Sequence, residues 1–351
     1  MKELPYPEKL TSYLKMLLDS NAIAKQFIAS DLERISQGTK TPFEEGKGAF
    51  GLYGMERLYK DRVVIMPTMN CPAHCRFCYR KDRVMNEKRE MTAAEIDKAV
   101  EEIGKRKEIR GVLITGGDPF MNIDKLLYLL DKLVALDNIF EIRIGTRSFL
   151  MHPSLFTKDL AEKIASFQKV NTSHPQKSKS LAINVHFNHP DEITKETMEA
   201  AQLFTSRGVI LRNQAVLLKD INDTTHTLKT LNTVLLRNNI LPYYLSHCDP
   251  VIGSDHMRTT VAKGLEIYEN LARESSTALP FYILDLPVGK VRLFPGMKLK
   301  YKVIDKKRYV EITTPYLAKD FREITKKDLP YLHEETKNGY IKGYYLDGDR
   351  E

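Results

Sequence analysis

"RVVIMPTMNCPAHCRFCYR", residues 62–80, joins a short apolar, β-branched run to three cysteines spaced C-x3-C-x2-C. The run up to Thr68 reads as a buried strand. The next segment, "TAAEIDKAVEEIGK" (92–105), opens on a threonine cap and continues as an amphipathic helix, and "GVLIT" (111–115) predicts another strand. The alternation then repeats: helix "IDKLLYLLDKLVAL"; strand "FEIRIGT" and helix "DLAEKIASF"; "LAINVHFN" and "KETMEAAQLFTSRG"; "VILRNQAVLL" and "HTLKTLNTVLLRN"; "LPYYLSH" and "TTVAKGLEIYENLA". Six strand-then-helix units in succession predict a parallel sheet with right-handed crossovers, and six suit an incomplete barrel. The expected fold is therefore α/β, a partial (β/α)6 TIM-type barrel over residues 51–278. Apolar residues at helical spacing over 7–37 predict a helical cap (1–50). "PFYILDLPVGKV" and "YKVIDKKRYVEITT" predict a C-terminal β extension (279–351), in which the last thirty or so residues read as a charged tail.

In barrels of this kind chemistry gathers at the C-terminal ends of the strands. The unusual residues of this chain fall there: the cysteine trio after the first strand, "GGDP" after the second, "GTR" after the third, "HFNHP" after the fourth, "RNQ" in the fifth and "SHCD" at the end of the sixth. The composition sets bounds. With 351 residues, 42% hydrophobic and 28% charged, the chain can bury a large core. No apolar run approaches the roughly eighteen residues of a membrane span, and "MKELPYPEKLTSYLKMLLDS" lacks the features of a secretory signal, so a cytoplasmic protein with no membrane partner is expected. The net charge of +8 comes from lysines spread over the whole chain, which argues against a nucleic-acid partner. Four cysteines are too few for a disulfide framework, and their clustering points to metal.

Cys71, Cys75 and Cys78 can wrap one compact centre. A cubane iron–sulfur cluster normally takes four cysteines, so three would leave one iron open to a small molecule. A zinc site completed by His74, or a cluster used only for electron transfer, is the plainer alternative. "CPAHCRFCYR" resembles the cluster motif of the radical S-adenosylmethionine (SAM) superfamily, and "ITGGDP" strengthens the likeness. In that superfamily SAM binds the unique iron and is split by one electron into methionine and a 5'-deoxyadenosyl radical.

Further stretches, "LYKDRVVIMPTMNCPAHCRFCYR", "VLITGGDPF", "EIRIGTR", "VHFNHPDEIT", "RNQAVLLKDIND" and "LPYYLSHCDPVIGSDHMRT", resemble the lysine 2,3-aminomutase family. The resemblance implies a radical SAM aminomutase that moves the α-amino group of a basic amino acid, lysine first, to the β-carbon. Its cofactors would be a [4Fe–4S] cluster on Cys71, Cys75 and Cys78, SAM, and pyridoxal 5'-phosphate (PLP) held covalently by Lys290, for which an amine of lowered pKa is suited. It further implies Gly116, Gly117, Asp118, Gln214, His186, Arg147 and Tyr59 around the cofactors, Arg80 on the substrate carboxylate, and Asp249 with Asp285 on a distal ammonium. An external electron donor of the flavodoxin or ferredoxin type and a homo-oligomeric assembly belong to the same expectation. The alternative within the family is a radical reaction on another amino acid, or one without PLP. Two departures stand out: the glycine run before the lysine is reduced to Val288 and Gly289, and Leu58 replaces an arginine common beside Tyr59.

Overall fold

The computed structural model describes residues 6–46, 48–86 and 89–348. The N-terminal cap is two short helices, α1 (Ser12–Met16) and α2 (Asn21–Phe27), followed by a 3-10 turn at Asp31–Arg34. The single helical run expected over 7–37 is interrupted because its serines act as caps. The Ser20 hydroxyl accepts from the Ile23 amide and starts α2, and Ser30 forms a capping box with Glu33.

The predicted alternation folds into one nine-stranded sheet whose spatial order follows the chain. Its strands are β1 (Met55–Tyr59), β2 (Arg62–Thr68), β3 (Gly111–Gly116), β4 (Glu141–Gly145), β5 (Ser180–Val185), β6 (Ile210–Leu217), β7 (Ile240–His247), β8 (Phe281–Leu286) and β9 (Gly289–Arg292). Strands β2 to β8 are parallel, while β1 and β9 are antiparallel to their neighbours. Between them run α3 (Lys81–Asn86), α4 (Ala93–Gly104), α5 (Ile123–Val134), α6 (Ser148–Met151), α7 (Lys158–Ala165), α8 (Lys195–Thr205), α9 (Thr225–Arg237) and α10 (Val261–Glu274). The packing follows the sequence periods. Helix α4 buries Ile96, Ala99, Val100 and Ile103, and β5 buries Leu181, Ala182, Ile183 and Val185 on both of its faces, as a strand covered by helices must. The six predicted units are all present, and the barrel gains a seventh parallel strand in β8. The sheet therefore runs on to Arg292, past residue 278 where the sequence reading ended the barrel.

A second, four-stranded antiparallel sheet has the order β10 (Lys300–Ile304), β11 (Lys307–Leu317), β13 (Tyr340–Leu346), β12 (His333–Glu335), with α11 (Ala318–Thr325) following β11. The segment read as a charged tail is thus ordered as far as Gly348. Its alternation of Lys342 and Tyr344 with Ile341, Gly343 and Tyr345 turns an apolar side toward Val310 and Ile312. Side chains then stitch it to the barrel: the Tyr345 hydroxyl donates to Cys248 O (2.8 Å), Arg258 donates to Leu346 O, and the Asp347 carboxylate accepts from Val261 N (2.8 Å) at the start of α10.

Candidate active site

All fourteen side chains and glycines singled out from the sequence line a single cavity of about 390 Å³ at the C-terminal ends of the barrel strands. Cys71, Cys75 and Cys78 follow β2, Gly116, Gly117 and Asp118 end β3, Arg147 follows β4 and His186 follows β5. Gln214 lies in β6, Asp249 follows β7, Asp285 ends β8, Lys290 opens β9 and Tyr59 ends β1; Arg80 precedes α3.

The cysteine loop carries no regular structure of its own and is fixed by the N-terminal cap. Arg76, 1% exposed, forms a two-pronged ion pair with Glu33 (2.7 and 2.6 Å) and also donates to the carbonyls of Tyr6 and Pro7. Its own amide donates to Gln26 O in α2 (2.8 Å), the His74 amide to Lys9 O (3.0 Å), and Lys9 Nζ to Cys71 O (2.5 Å). The His74 ring is taken up with Pro7 O (3.1 Å), away from the cysteines. Among the described residues no three His, Cys, Asp or Glu side chains are grouped to hold one metal ion. The cysteines of a cubane bind different irons and need not group as the ligands of one ion do. Burial pushes all three thiols up, Cys78 to about 11, so thiolates here need the positive charge that a cluster supplies.

Gly116 and Gly117 are required by the chain's own backbone. Gly116 has φ +116°, and a Cβ there would lie 2.6 Å from Thr68 O; a Cβ on Gly117 would lie 2.3 Å from Asn70 O. The two turns lock together, with Gly117 N on Thr68 O (2.9 Å) and Asp118 N on Asn70 O (2.7 Å). The Asp118 carboxylate is occupied: it accepts from Thr146 Oγ1 (2.9 and 2.8 Å) and from the amides of Arg147 (2.9 Å), Ser148 (3.0 Å) and Phe120 (3.2 Å). Arg147 meets Cys75 Sγ (2.9 Å), Gln26 and Glu192. Burial, then the Arg147 charge, drive the His186 pKa well below its ordinary value, so this ring, bonded to Asn188 Oδ1 (3.1 Å), is neutral.

In the same cavity lining Lys290 Nζ donates to both oxygens of Asp285 (2.6 and 2.5 Å). Burial works against the ammonium, yet Asp285, Tyr59 and Asp249 together outweigh it and the Lys290 pKa is raised, the reverse of the lowered value expected from sequence. Asp249, 9% exposed, has a buried Oδ1 without a partner; burial and the neighbouring Asp285 push its pKa well up. Arg80 is held by Glu45 through two bonds of 2.7 Å. Four further residues escaped the sequence reading. Glu45 is one; Tyr316, whose hydroxyl donates to Lys290 O (2.6 Å) while Tyr59 accepts from Lys290 N (2.9 Å), is another. Arg62 and Arg143 also line the cavity, and burial together with Arg62 lowers the Arg143 pKa, so two cations face one space. Arg62 pairs with Tyr59 across the β1–β2 hairpin and so shares its side of the sheet, a relation the sequence hides because β1 shows no alternation.

The model of the radical SAM superfamily matches residues 65–231. L-lysine 2,3-aminomutase of Methanococcus maripaludis is 34% identical over 302 residues, 83% of this chain and 67% of that protein. The chain belongs to the radical SAM lysine 2,3-aminomutase family. L-lysine 2,3-aminomutase of Clostridium subterminale is 34% identical over 80% of this chain and 66% of its own length, and glutamate 2,3-aminomutase of Clostridioides difficile is 36% identical over 68% and 55%. The chain thus spans about two thirds, or less, of the length of these relatives. Membership of the lysine 2,3-aminomutase family implies a [4Fe–4S] cluster, SAM and PLP, and the residues present fit them. Three cysteines line one cavity, a primary amine in the same lining stands 2.5 Å from its carboxylate, and the Arg62 and Arg143 guanidiniums suit a phosphate. No helix among the described residues is long and apolar enough to cross a membrane.

Proposed function

We propose that this chain is a cytoplasmic radical SAM 2,3-aminomutase that moves the α-amino group of a basic amino acid, L-lysine above others, to the β-carbon. The observation that carries it is that the cysteine trio, Lys290, Arg80 and the two carboxyl groups of Asp249 and Asp285 all line one cavity. Bound together, the cluster and SAM supply a carbon radical that abstracts hydrogen, and PLP supplies the unsaturation that lets nitrogen migrate. Cys71, Cys75 and Cys78 hold three irons. The locked turns at Gly116–Gly117, with Gln214 and His186, form the wall beside the open corner. Lys290 holds PLP, with its backbone gripped by Tyr59 and Tyr316, while Arg62 and Arg143 face the phosphate. The Arg80 fork, once released by Glu45, takes the substrate's carboxylate. A one-electron donor of the flavodoxin or ferredoxin class supplies the electron.

Two carboxylates set the substrate. Asp249 has no hydrogen-bond partner, and Asp285 is released when Lys290 is bonded elsewhere, so the site then presents two adjacent carboxyl groups to the far end of the substrate, where an arriving cation would draw Asp249 into the ionised form that burial and Asp285 disfavour. A second ammonium satisfies both, whereas the side-chain carboxylate of glutamate would meet like charge. After anaerobic cluster reconstitution with SAM, reductant and PLP, mass spectrometry of an amino-acid panel is expected to show β-lysine and 5'-deoxyadenosine. In Asp249→Asn, kcat/KM for lysine is expected to fall by about 2–5 kcal/mol in transition-state stabilisation, roughly 30-fold or more. Absence of any β-amino acid while 5'-deoxyadenosine accumulates would reject the aminomutase assignment.

The ion pair also predicts a pH dependence. Lys290 must shed a proton before it can bond a carbonyl carbon, and its raised pKa makes the free amine scarce near neutrality. Capture of PLP by the apoprotein, followed by absorbance, is expected to accelerate roughly tenfold per unit between about pH 7 and 9. In Asp285→Asn, where the opposing carboxylate is gone and burial favours the neutral amine, capture at pH 7 is faster and the slope shallower.

A further inference from the structure

We propose that Arg147 is a positioning residue for the cluster, its guanidinium holding a charge-assisted hydrogen bond on the Cys75 sulfur that raises the cluster's reduction potential. Arg147 is 6% exposed, and its Nη1 lies 2.9 Å from Cys75 Sγ. Its Nε is buried without a hydrogen-bond partner, while the second terminal nitrogen and the carbon are engaged. Nη2 donates to Gln26 Oε1 (2.5 Å) and Glu192 Oε1 (3.2 Å), and the guanidinium carbon sits 4.7 Å from the Phe27 ring centre and 5.0 Å from that of Phe77. Glu192 is fully buried and fixed in turn by Gln26 Nε2 (2.7 Å) and the Asn188 amide (2.8 Å). A planar cation packed against two rings, with Nη2 committed to Gln26 and Glu192, has Nη1 within hydrogen-bond reach of the sulfur. The carboxylate that this arginine meets is the chain's own Glu192.

The direction of the effect follows from charge. Reduction places one more electron on a cluster shielded from water, and that electron density spreads onto the ligand sulfurs. A cationic donor at one sulfur stabilises the reduced state more than the oxidised one, so the potential rises. The arrangement also gives the N-terminal cap a task beyond anchoring, because Gln26 and Phe27 of α2 supply two of the four groups that hold Arg147 in place.

This inference rests on the reading that Cys71, Cys75 and Cys78 carry a [4Fe–4S] cluster, and the two fail differently. Reconstituted wild-type protein without an iron–sulfur spectrum sinks the cofactor reading. For Arg147, redox titration of the loaded protein followed by electron paramagnetic resonance compares wild type with Arg147→Met and Arg147→Lys. The expected result for Arg147→Met is a reduction equilibrium shifted about tenfold toward the oxidised cluster, about 59 mV for one electron. Arg147→Lys keeps the charge without the fork and is expected in between. An unchanged potential in Arg147→Met with the cluster spectrum intact overturns the proposal, including the case in which only SAM binding weakens. Should Arg147→Met lose its cluster, hyperfine spectroscopy of reduced wild-type protein carrying guanidino-15N arginine decides. A nitrogen coupling that disappears in Arg147→Lys supports the hydrogen bond, and no such coupling overturns it.

Discussion

Cys75→Ala is expected to leave a folded chain that retains no [4Fe–4S] cluster and cleaves SAM only at background. The thiol lies between two anchored neighbours: Arg76 is pinned to Glu33 and Cys71 O is held by Lys9, so the loop keeps its course when one sulfur goes. What disappears is one corner of a cage that already lacks its fourth protein ligand, and two thiolates cannot retain three irons against solvent and chelators. The loss should exceed the roughly 10- to 100-fold weakening typical when a residue outside the ligand set is removed. Iron and sulfide content after anaerobic reconstitution, with far-ultraviolet circular dichroism as the folding control, makes the measurement. Near-stoichiometric iron in Cys75→Ala would show that the trio is not the cage.

Glu33→Ala is expected to be the most damaging substitution outside the cavity. Glu33 and Arg76 are 1% exposed each, and Arg76 sits in the middle of the cysteine motif. Removing the carboxylate leaves a guanidinium buried with only carbonyl acceptors, a loss of about 3–5 kcal/mol when one partner of a buried pair is deleted. Because Arg76 also ties Tyr6 and Pro7 to the loop, the damage reaches the cysteines. Urea denaturation should show the lowered stability, and cluster retention should fall with it. Glu33→Gln, which keeps the shape and one acceptor, should recover part of both. Wild-type stability in Glu33→Ala would mean that Arg76 reaches water in solution.

Local signals made the barrel readable. Each strand-helix unit carries its own period, and caps such as Thr92 and Thr194 mark where helices begin. What escaped was non-local. "FYILDL" reads plainly as a strand, but nothing within it says that it continues the parallel sheet beside β7. "MERLY" buries only Met55 and shows no alternation, so β1 left no trace. In "YIKGYYL" the lysine and the glycine mask a strand whose apolar partners, Val310 and Ile312, lie thirty residues or so upstream. The site divides in the same way. Three cysteines in eight positions announce themselves by spacing, and their neighbours at strand ends follow from barrel geometry. Glu45 on Arg80 and Tyr316 on Lys290 are pairings across 35 and 26 residues of sequence, which no local pattern encodes.

The cavity already contains a counterfeit of its proposed guest. Glu45 offers Arg80 a carboxylate and Lys290 offers Asp285 an ammonium, so the two ends of a basic amino acid are mimicked by the chain itself. On the proposed reading this fixes an order of loading. PLP must claim the Lys290 amine first, since only then does Asp285 become free, and lysine arriving early finds that end of its berth taken. Isothermal titration should accordingly find lysine binding weakly to the PLP-free protein and tightly after the cofactor is in place.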